Sequence, residues 1–267
     1  METAAVDVGS SFTDVIRRDA SGRLTFAKLP SESADPAAPV LAAAGAGALR
    51  HGTTLGLNAL LQRKGARVGL IVTKGFRDVL NLGRQSRREL YAMPPRAATP
   101  DFLVAETLRA EIDERIDAEG RVVTPLDDAE AARVIRRLVA DGAEALAIGL
   151  LFAFRNPIHE HRLAAIAAGM FPGLPVSESH EVDPLPREFE RIAATACDAF
   201  LRPTMGGYLR RLARPDLHVM RSSGGLIDGA EAARQPARLL LSGPAAAALR
   251  AAEAARAAGC PDALSID

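Results

Sequence analysis

The first thirty residues hold three strand-sized segments joined by turns too short for a crossover. Ala4–Val8, Phe12–Arg18 and Arg23–Leu29 read as strands, with Gly9-Ser10-Ser11 and Asp19 to Gly22 between them. Connections this short join antiparallel neighbours, whereas a parallel return needs a dozen residues or more. The spacing therefore predicts a three-stranded meander. The pattern then changes. Asp35-Pro36 opens an Ala-rich helix that stops near Gly45 or Gly47, and Ala48 to His51 is a short strand. Gly52-Thr53-Thr54 then starts a helix to about Lys64, with Thr53 or Thr54 as its cap. Arg67 to Thr73 is almost continuously apolar, as a buried parallel strand would be, and Phe76 to Leu82 begins another short helix.

A meander followed by two strand–helix crossovers is the pattern of the ribonuclease-H-like half used by actin-like ATPases. The expected fold class is α/β, with one such half built on a mixed five-stranded sheet plus an additional α/β region. Glu106 to Asp117 and Arg121 to Val123 are expected to pair as strands, followed by a helix over 127–140, a buried strand over 145–154, a helix over 157–168 and a strand over 176–178. A long helix or two shorter ones fill 185–212, with Pro203 as a break or kink. Leu217 to Met220 reads as a strand, Ser222 to Gly225 as a turn, Gly243 to Ala258 as a helix, and Ala263 to Asp267 as the beginning of a strand. The expected division is 1–178 and 179–267.

Lys plus Arg and Asp plus Glu both number 33 in a chain of 267 residues, so the formal charge is zero. No clustered positive charge points to nucleic acid or a membrane surface. No basic segment followed by an apolar one opens the chain, and its longest apolar run, Ala145 to Phe154, is too short to span a bilayer. Two distant cysteines, Cys197 and Cys260, suggest reduced thiols and a cytoplasmic setting. Abundant Ala and Arg, with 4% aromatic residues and no Trp, give the look of a GC-rich bacterial gene.

The most informative local motif is Asp7-Val8-Gly9-Ser10-Ser11-Phe12-Thr13-Asp14. Gly9 lets a backbone N–H approach an anion, Ser10, Ser11 and Thr13 supply hydroxyls, and Asp7 is placed to hold Mg²⁺ through water. The plainer reading is a hairpin turn of small polar residues. The motif is neither a Walker A loop nor a dinucleotide fingerprint. His51-Gly52-Thr53-Thr54 opens a helix, where anions bind, or is simple capping. Arg84, Gln85 and Arg87 suit a substrate carboxylate or carbonyl, or form a solvated basic loop. His159-Glu160-His161 is spaced too tightly for the zinc motif His-Glu-x-x-His and reads as a helix start with a carboxylate in its first turn. Cys197 reads as core.

Several stretches, in order along the chain, carry a resemblance. His51-Gly52-Thr53-Thr54, Asn58-Ala59-Leu60-Leu61, Arg63-Lys64-Gly65-Ala66, Thr73 to Leu80 and Gly83-Arg84-Gln85-Ser86-Arg87 closely resemble the N-terminal region of the hydantoinase A / 5-oxoprolinase family. Asn156 to Glu160, Arg187 to Arg191, Ser222 to Leu226 and Leu241 to Ala245 extend the similarity. The family includes N-methylhydantoinases, 5-oxoprolinases and subunits of acetone and acetophenone carboxylases.

The resemblance implies an actin-like ATPase fold using ATP and Mg²⁺. It implies an enzyme that phosphorylates an amide or ketone oxygen, then opens a cyclic amide or carboxylates a ketone, with a hydantoinase B-type partner subunit. On that basis His51, Thr53, Thr54, Arg84 and Arg87 are expected on the substrate side. Asp7, Gly9, Ser10, Ser11, Thr13 and Asp267 are expected around the nucleotide. The family's first loop is usually Asp-x-Gly-Gly-Thr-Phe-Thr-Asp, so Ser10 and Ser11 replace Gly and Thr; its Ser-Gly-Pro-Ala-Gly-Gly is here Ser242-Gly243-Pro244-Ala245-Ala246-Ala247. Family members continue past the position of Asp267 into a second Gly-Gly-Thr-Ser loop. This chain is thus expected to be an N-terminal fragment that does not turn over ATP by itself, with a non-catalytic packing role as the remaining alternative.

Overall fold

The computed structural model describes every residue except 1, 32–34, 46, 87–90, 92, 94–98, 261, 265 and 267. The elements run β1 (Thr3–Val8), β2 (Phe12–Arg18), β3 (Leu24–Pro30), α1 (Ala37–Ala44), β4 (Ala48–Thr53), α2 (Leu55–Leu61), β5 (Val68–Thr73) and α3 (Val79–Leu82). They continue with β6 (Arg109–Ile112), β7 (Arg115–Ile116), β8 (Val122–Thr124), α4 (Asp128–Ala140), β9 (Ala145–Gly149), α5 (Ile158–Met170), β10 (Val176–Glu178) and α6 (Ser179–Val182). Last come α7 (Glu188–Arg211), β11 (Leu217–Met220), β12 (Leu226–Asp228), α8 (Gly229–Arg234) and α9 (Ser242–Ala257). The chain forms two compact units: residues 1–64 with 204–267, and residues 65–203. These units cross the division at 178 expected from the sequence.

The first unit is built on one sheet in the order β12-β11-β4-β1-β2-β3. β1, β2 and β3 form the antiparallel meander, β4 runs parallel to β1, and β11 runs parallel to β4. Five strands thus make the expected mixed sheet, and β12 adds an antiparallel sixth. The fifth strand is β11, not the apolar run after α2. β1 shows why the sheet has a single dry centre. Ala4, Val6 and Val8 are buried, and the period of two turns Asp7 the other way.

The second unit carries a four-stranded, wholly parallel sheet in the order β10-β9-β5-β6. β5 and β9 are buried at every position, as strands covered on both faces must be. The apolar run at 68–73 was therefore legible as a buried parallel strand, but a local pattern does not say which sheet a strand joins. Residues 109–112 pair with β5 rather than within a hairpin; only β7 and β8 pair antiparallel across the Ala118-Glu119-Gly120 turn. α4 starts on an Asp127 side chain that accepts from the Ala129 and Glu130 amides, and it buries Ala131, Ile135 and Leu138 against this sheet. Full burial of an Ile or Leu side chain such as Ile135 or Leu138 contributes about 1.5–3 kcal/mol.

α7 stays one helix through Pro203. Ala263, Leu264 and Ile266, expected to begin a strand, lie in none; Asp267 is outside the described residues. Among the described residues no helix is long and apolar enough to cross a membrane.

Candidate nucleotide site

β1 ends at Val8, and the chain reverses through Gly9, Ser10 and Ser11 into β2. The Gly9 amide donates to the Phe12 carbonyl at 2.9 Å and closes the turn. Gly9 is not in the left-handed region; a Cβ there would lie 3.0 Å from the Phe12 carbonyl oxygen, a tight contact that only a small shift of the turn would relieve. Thr13 is fully buried. Its hydroxyl lies 3.0 Å from that of Ser31, which donates to the Gly9 carbonyl at 3.0 Å. Since Ser31 has one proton and spends it on Gly9, Thr13 is the donor to Ser31. Thr13, expected to face a ligand, instead braces the turn from behind.

That bracing leaves the front of the turn open. Ser10 and Ser11 are exposed, and their amides and hydroxyls have no partner among the described residues. Two consecutive amides and two hydroxyls at one reversal form a concave donor set of the kind that takes anions.

The parallel pairing of β1 with β4 sets Asp7 opposite Gly52 and Val8 opposite Thr53. The Thr54 amide and hydroxyl both donate to the Val8 carbonyl, at 3.0 and 3.2 Å, tying the start of α2 to the end of β1. Thr53 is buried. Its hydroxyl accepts from the Leu55 amide at 3.1 Å, and its carbonyl accepts from the Ser242 hydroxyl at 3.3 Å. The Thr53 hydroxyl thus takes the first amide of α2, while Thr54, at the N-cap position, turns its hydroxyl back to the sheet rather than onto the helix. The Ser242 contact brings the uncapped start of α9 to the same end of the sheet.

Asp7 reaches solvent and has no hydrogen bond or ion pair among the described residues. The surrounding protein pushes its carboxyl above the usual range by desolvation, and Asp14, directly across the β1–β2 pair, adds to this. Asp14 has its own counterion in Lys28, 3.0 Å away. A carboxylate without a partner beside open donors fits a hydrated cation riding with an anion.

His51 occupies a different place from the one expected. It is buried, and burial lowers its pKa to about 4, so the ring is neutral. Its Nδ1 lies 2.9 Å from the Val6 carbonyl and must carry the proton; its Nε2 then accepts from the Tyr208 hydroxyl at 2.8 Å. Both ring nitrogens are spent inside the first unit. Tyr208 itself is buried, and desolvation together with the charge of Asp7 raises its pKa. Nothing in the sequence signalled Tyr208, because its partner is 157 residues away.

Arg84 belongs to the second unit. It forms an ion pair with Glu190, Nε to Oε1 at 2.5 Å, at the edge of an open cleft of about 490 Å³ that Phe76, Gln85 and Phe189 also line. The ion pair holds the Glu190 carboxyl below its usual range. Arg87 and Asp267 lie outside the described residues. The site residues thus fall into two groups. Asp7, Gly9, Ser10, Ser11 and Thr54 meet at one end of the first sheet, and Arg84 and Gln85 line the cleft of the second unit.

A meander-plus-crossover sheet with an open polar turn after its first strand defines a fold of the actin-like ATPase type. The solved nucleotide-free structure of acetone carboxylase, described as ATP-dependent, shares it with a TM-score of 0.80 at 26% identity, covering 97% of this chain and 41% of that one. A family model described as Hydantoinase/oxoprolinase N-terminal region matches residues 3–171, and one described as Hydantoinase/oxoprolinase matches residues 191–267. The chain belongs to the hydantoinase/oxoprolinase family. It is 32% identical over 264 residues to an uncharacterized protein of Methanocaldococcus jannaschii, and 30% identical over 266 residues to the caprolactamase subunit alpha of Pseudomonas jessenii. Each alignment covers 91% of this chain and 38% of the relative, so the chain spans well under half the length of these curated relatives.

Proposed function

We propose that this chain carries the nucleotide-phosphate site of an ATP-dependent enzyme subunit that opens a cyclic amide of the hydantoin or 5-oxoproline type. The observation that carries the reading is the turn at Gly9–Ser11, whose four donors in front have no partner among the described residues while Thr13 and Ser31 fix it from behind. When bound, ATP would supply a phosphoryl group to the amide oxygen and so make the ring carbonyl open to water. The residues of this chain do the holding. Ser10 and Ser11 donate to phosphate oxygens, Gly9 keeps the approach narrow, and Asp7 takes the water shell of Mg²⁺. His51, Thr53 and Thr54 keep the ends of β1 and β4 in register beneath them. Arg84 and Gln85 offer a guanidinium and an amide to a substrate carbonyl or carboxylate.

The subunit works with a hydantoinase B-type partner; the naming of the Pseudomonas jessenii relative as a subunit supports this. A second reading, activation of a ketone for carboxylation, is favoured by the similarity to acetone carboxylase. The test is phosphate release by the chain in its full-length setting with its partner. Release stimulated by a hydantoin, 5-oxoproline or a lactam supports ring opening. Release stimulated only by a ketone with bicarbonate replaces it with carboxylation, and no stimulated release by either class contradicts both.

A further inference from the structure

Three groups that lie apart in sequence meet on the surface of the second unit. His161 is in the first turns of α5, Glu178 ends β10, and His180 opens α6. One donor atom from each lies within 4.8 Å of the others. His161 Nδ1 is 2.7 Å from Glu178 Oε2, and the two imidazoles stand edge-on with ring centroids 4.5 Å apart. From these positions we infer a binding site for one divalent transition ion of the Zn²⁺ class, held by His161, Glu178 and His180 and completed by water.

The strongest support is what stands behind the site. Glu160, fully buried, accepts from His180 Nδ1 at 2.7 Å and from the His180 amide at 3.1 Å. Its other oxygen accepts from the Ser179 hydroxyl at 2.6 Å and the Leu150 amide at 2.9 Å. Glu160 is thereby held by four hydrogen bonds, and it fixes the proton of His180 on Nδ1, leaving the Nε2 lone pair for another partner. A buried carboxylate behind a histidine, orienting the ring and raising its basicity, is the usual support of a metal-bound imidazole.

Two imidazoles and a carboxylate with an open fourth position suit Zn²⁺ and its neighbours rather than Mg²⁺ or Ca²⁺. Donors around a tetrahedral ion at ~2.1 Å sit about 3.4 Å apart, a spacing that lies between the 2.7 Å from His161 Nδ1 to Glu178 Oε2 and the 4.8 Å within which all three groups fall. The tight His159-Glu160-His161 sequence hid the arrangement. His159 turns inward to Glu114, 2.7 Å away, Glu160 supports from beneath, and only His161 faces the site.

The test is calorimetric titration of the chain with Zn²⁺ and visible spectroscopy with Co²⁺. One ion per chain is expected, with the Co²⁺ absorption of a four- or five-coordinate nitrogen–oxygen site. His161→Gln and Glu178→Gln should each weaken Zn²⁺ by about tenfold or more. His161 is exposed, so this variant keeps its thermal melt. Cys260→Ser, which removes an exposed thiol elsewhere, should bind as the parent does. Absence of saturable binding, or equal binding by His161→Gln, overturns the assignment and leaves the cluster as ion pairs alone.

Discussion

The Asp7 carboxylate rests over the backbone of Gly52: a Cβ at position 52 would come within 2.6 Å of Asp7 Oδ1. Position 52 does not require glycine for its torsion, since its φ is not in the left-handed region. It requires glycine for room. Gly52→Ala should therefore swing Asp7 out of place at little cost in stability, because Asp7 reaches solvent and is free to rotate. The expected outcome is weaker Mg-nucleotide binding with a nearly unchanged melting temperature. A large loss of stability with unaltered affinity would place the conflict elsewhere.

Ser11 offers a hydroxyl with no partner among the described residues. Ser11→Ala should leave chemical denaturation unchanged, and it should weaken Mg-ATP by about tenfold, as expected for one hydrogen bond to a charged group. Thr13→Val should behave in the opposite sense. It removes the proton that holds Ser31 in the buried brace, so stability should fall by ~1–2 kcal/mol.

His51 predicts a pH dependence with a definite sign. The unfolded ring titrates near 6.5 and the folded one at about 4. Between these values the unfolded chain takes up a proton that the folded chain refuses. The contribution of His51 is therefore complete above pH 6.5 and is lost as pH falls toward 4. In urea denaturation, the stability gap between the parent and His51→Asn should narrow by about 2 kcal/mol from pH 7 to pH 5. Tyr208→Phe, which orphans the buried Nε2, should cost ~1–3 kcal/mol at neutral pH. A gap that stays constant with pH would mean the buried ring is not held neutral.

Much of this arrangement could be read in advance, and the remainder has a common cause. The meander, α1, β4, α4 and α5 follow from periodicity and capping within a few residues of one another. The turn at Gly9–Ser11 stood out because its residues are contiguous. What stayed hidden was nonlocal. No pattern near Val68–Thr73 tells that β5 leaves the first sheet, or that Leu217–Met220 returns to complete it. Residue type alone suggests ligand-facing roles for Thr13 and His51, because sequence does not show which face a strand presents to the core. Tyr208 and Ser242 reach the site only through tertiary contacts with His51 and Thr53.

Arg84 and Glu190 supply a contrast between stability and recognition. Their ion pair leaves Arg84 68% exposed, so breaking it should change stability by less than about 1 kcal/mol. If the cleft receives substrate, Arg84→Ala should raise the KM of the full-length enzyme for a cyclic amide while leaving the affinity for ATP as it was. Equal loss of both would argue for a general disturbance.

The most direct measurement is a titration of the isotopically labelled chain with Mg-ATP followed by amide NMR. The largest shifts are expected at Gly9, Ser10 and Ser11, with smaller ones at Thr54 and Gly52, and all should be strongly reduced in Asp7→Asn. Shifts scattered over the surface, or the same pattern in Asp7→Asn, would contradict a phosphate site at the end of β1.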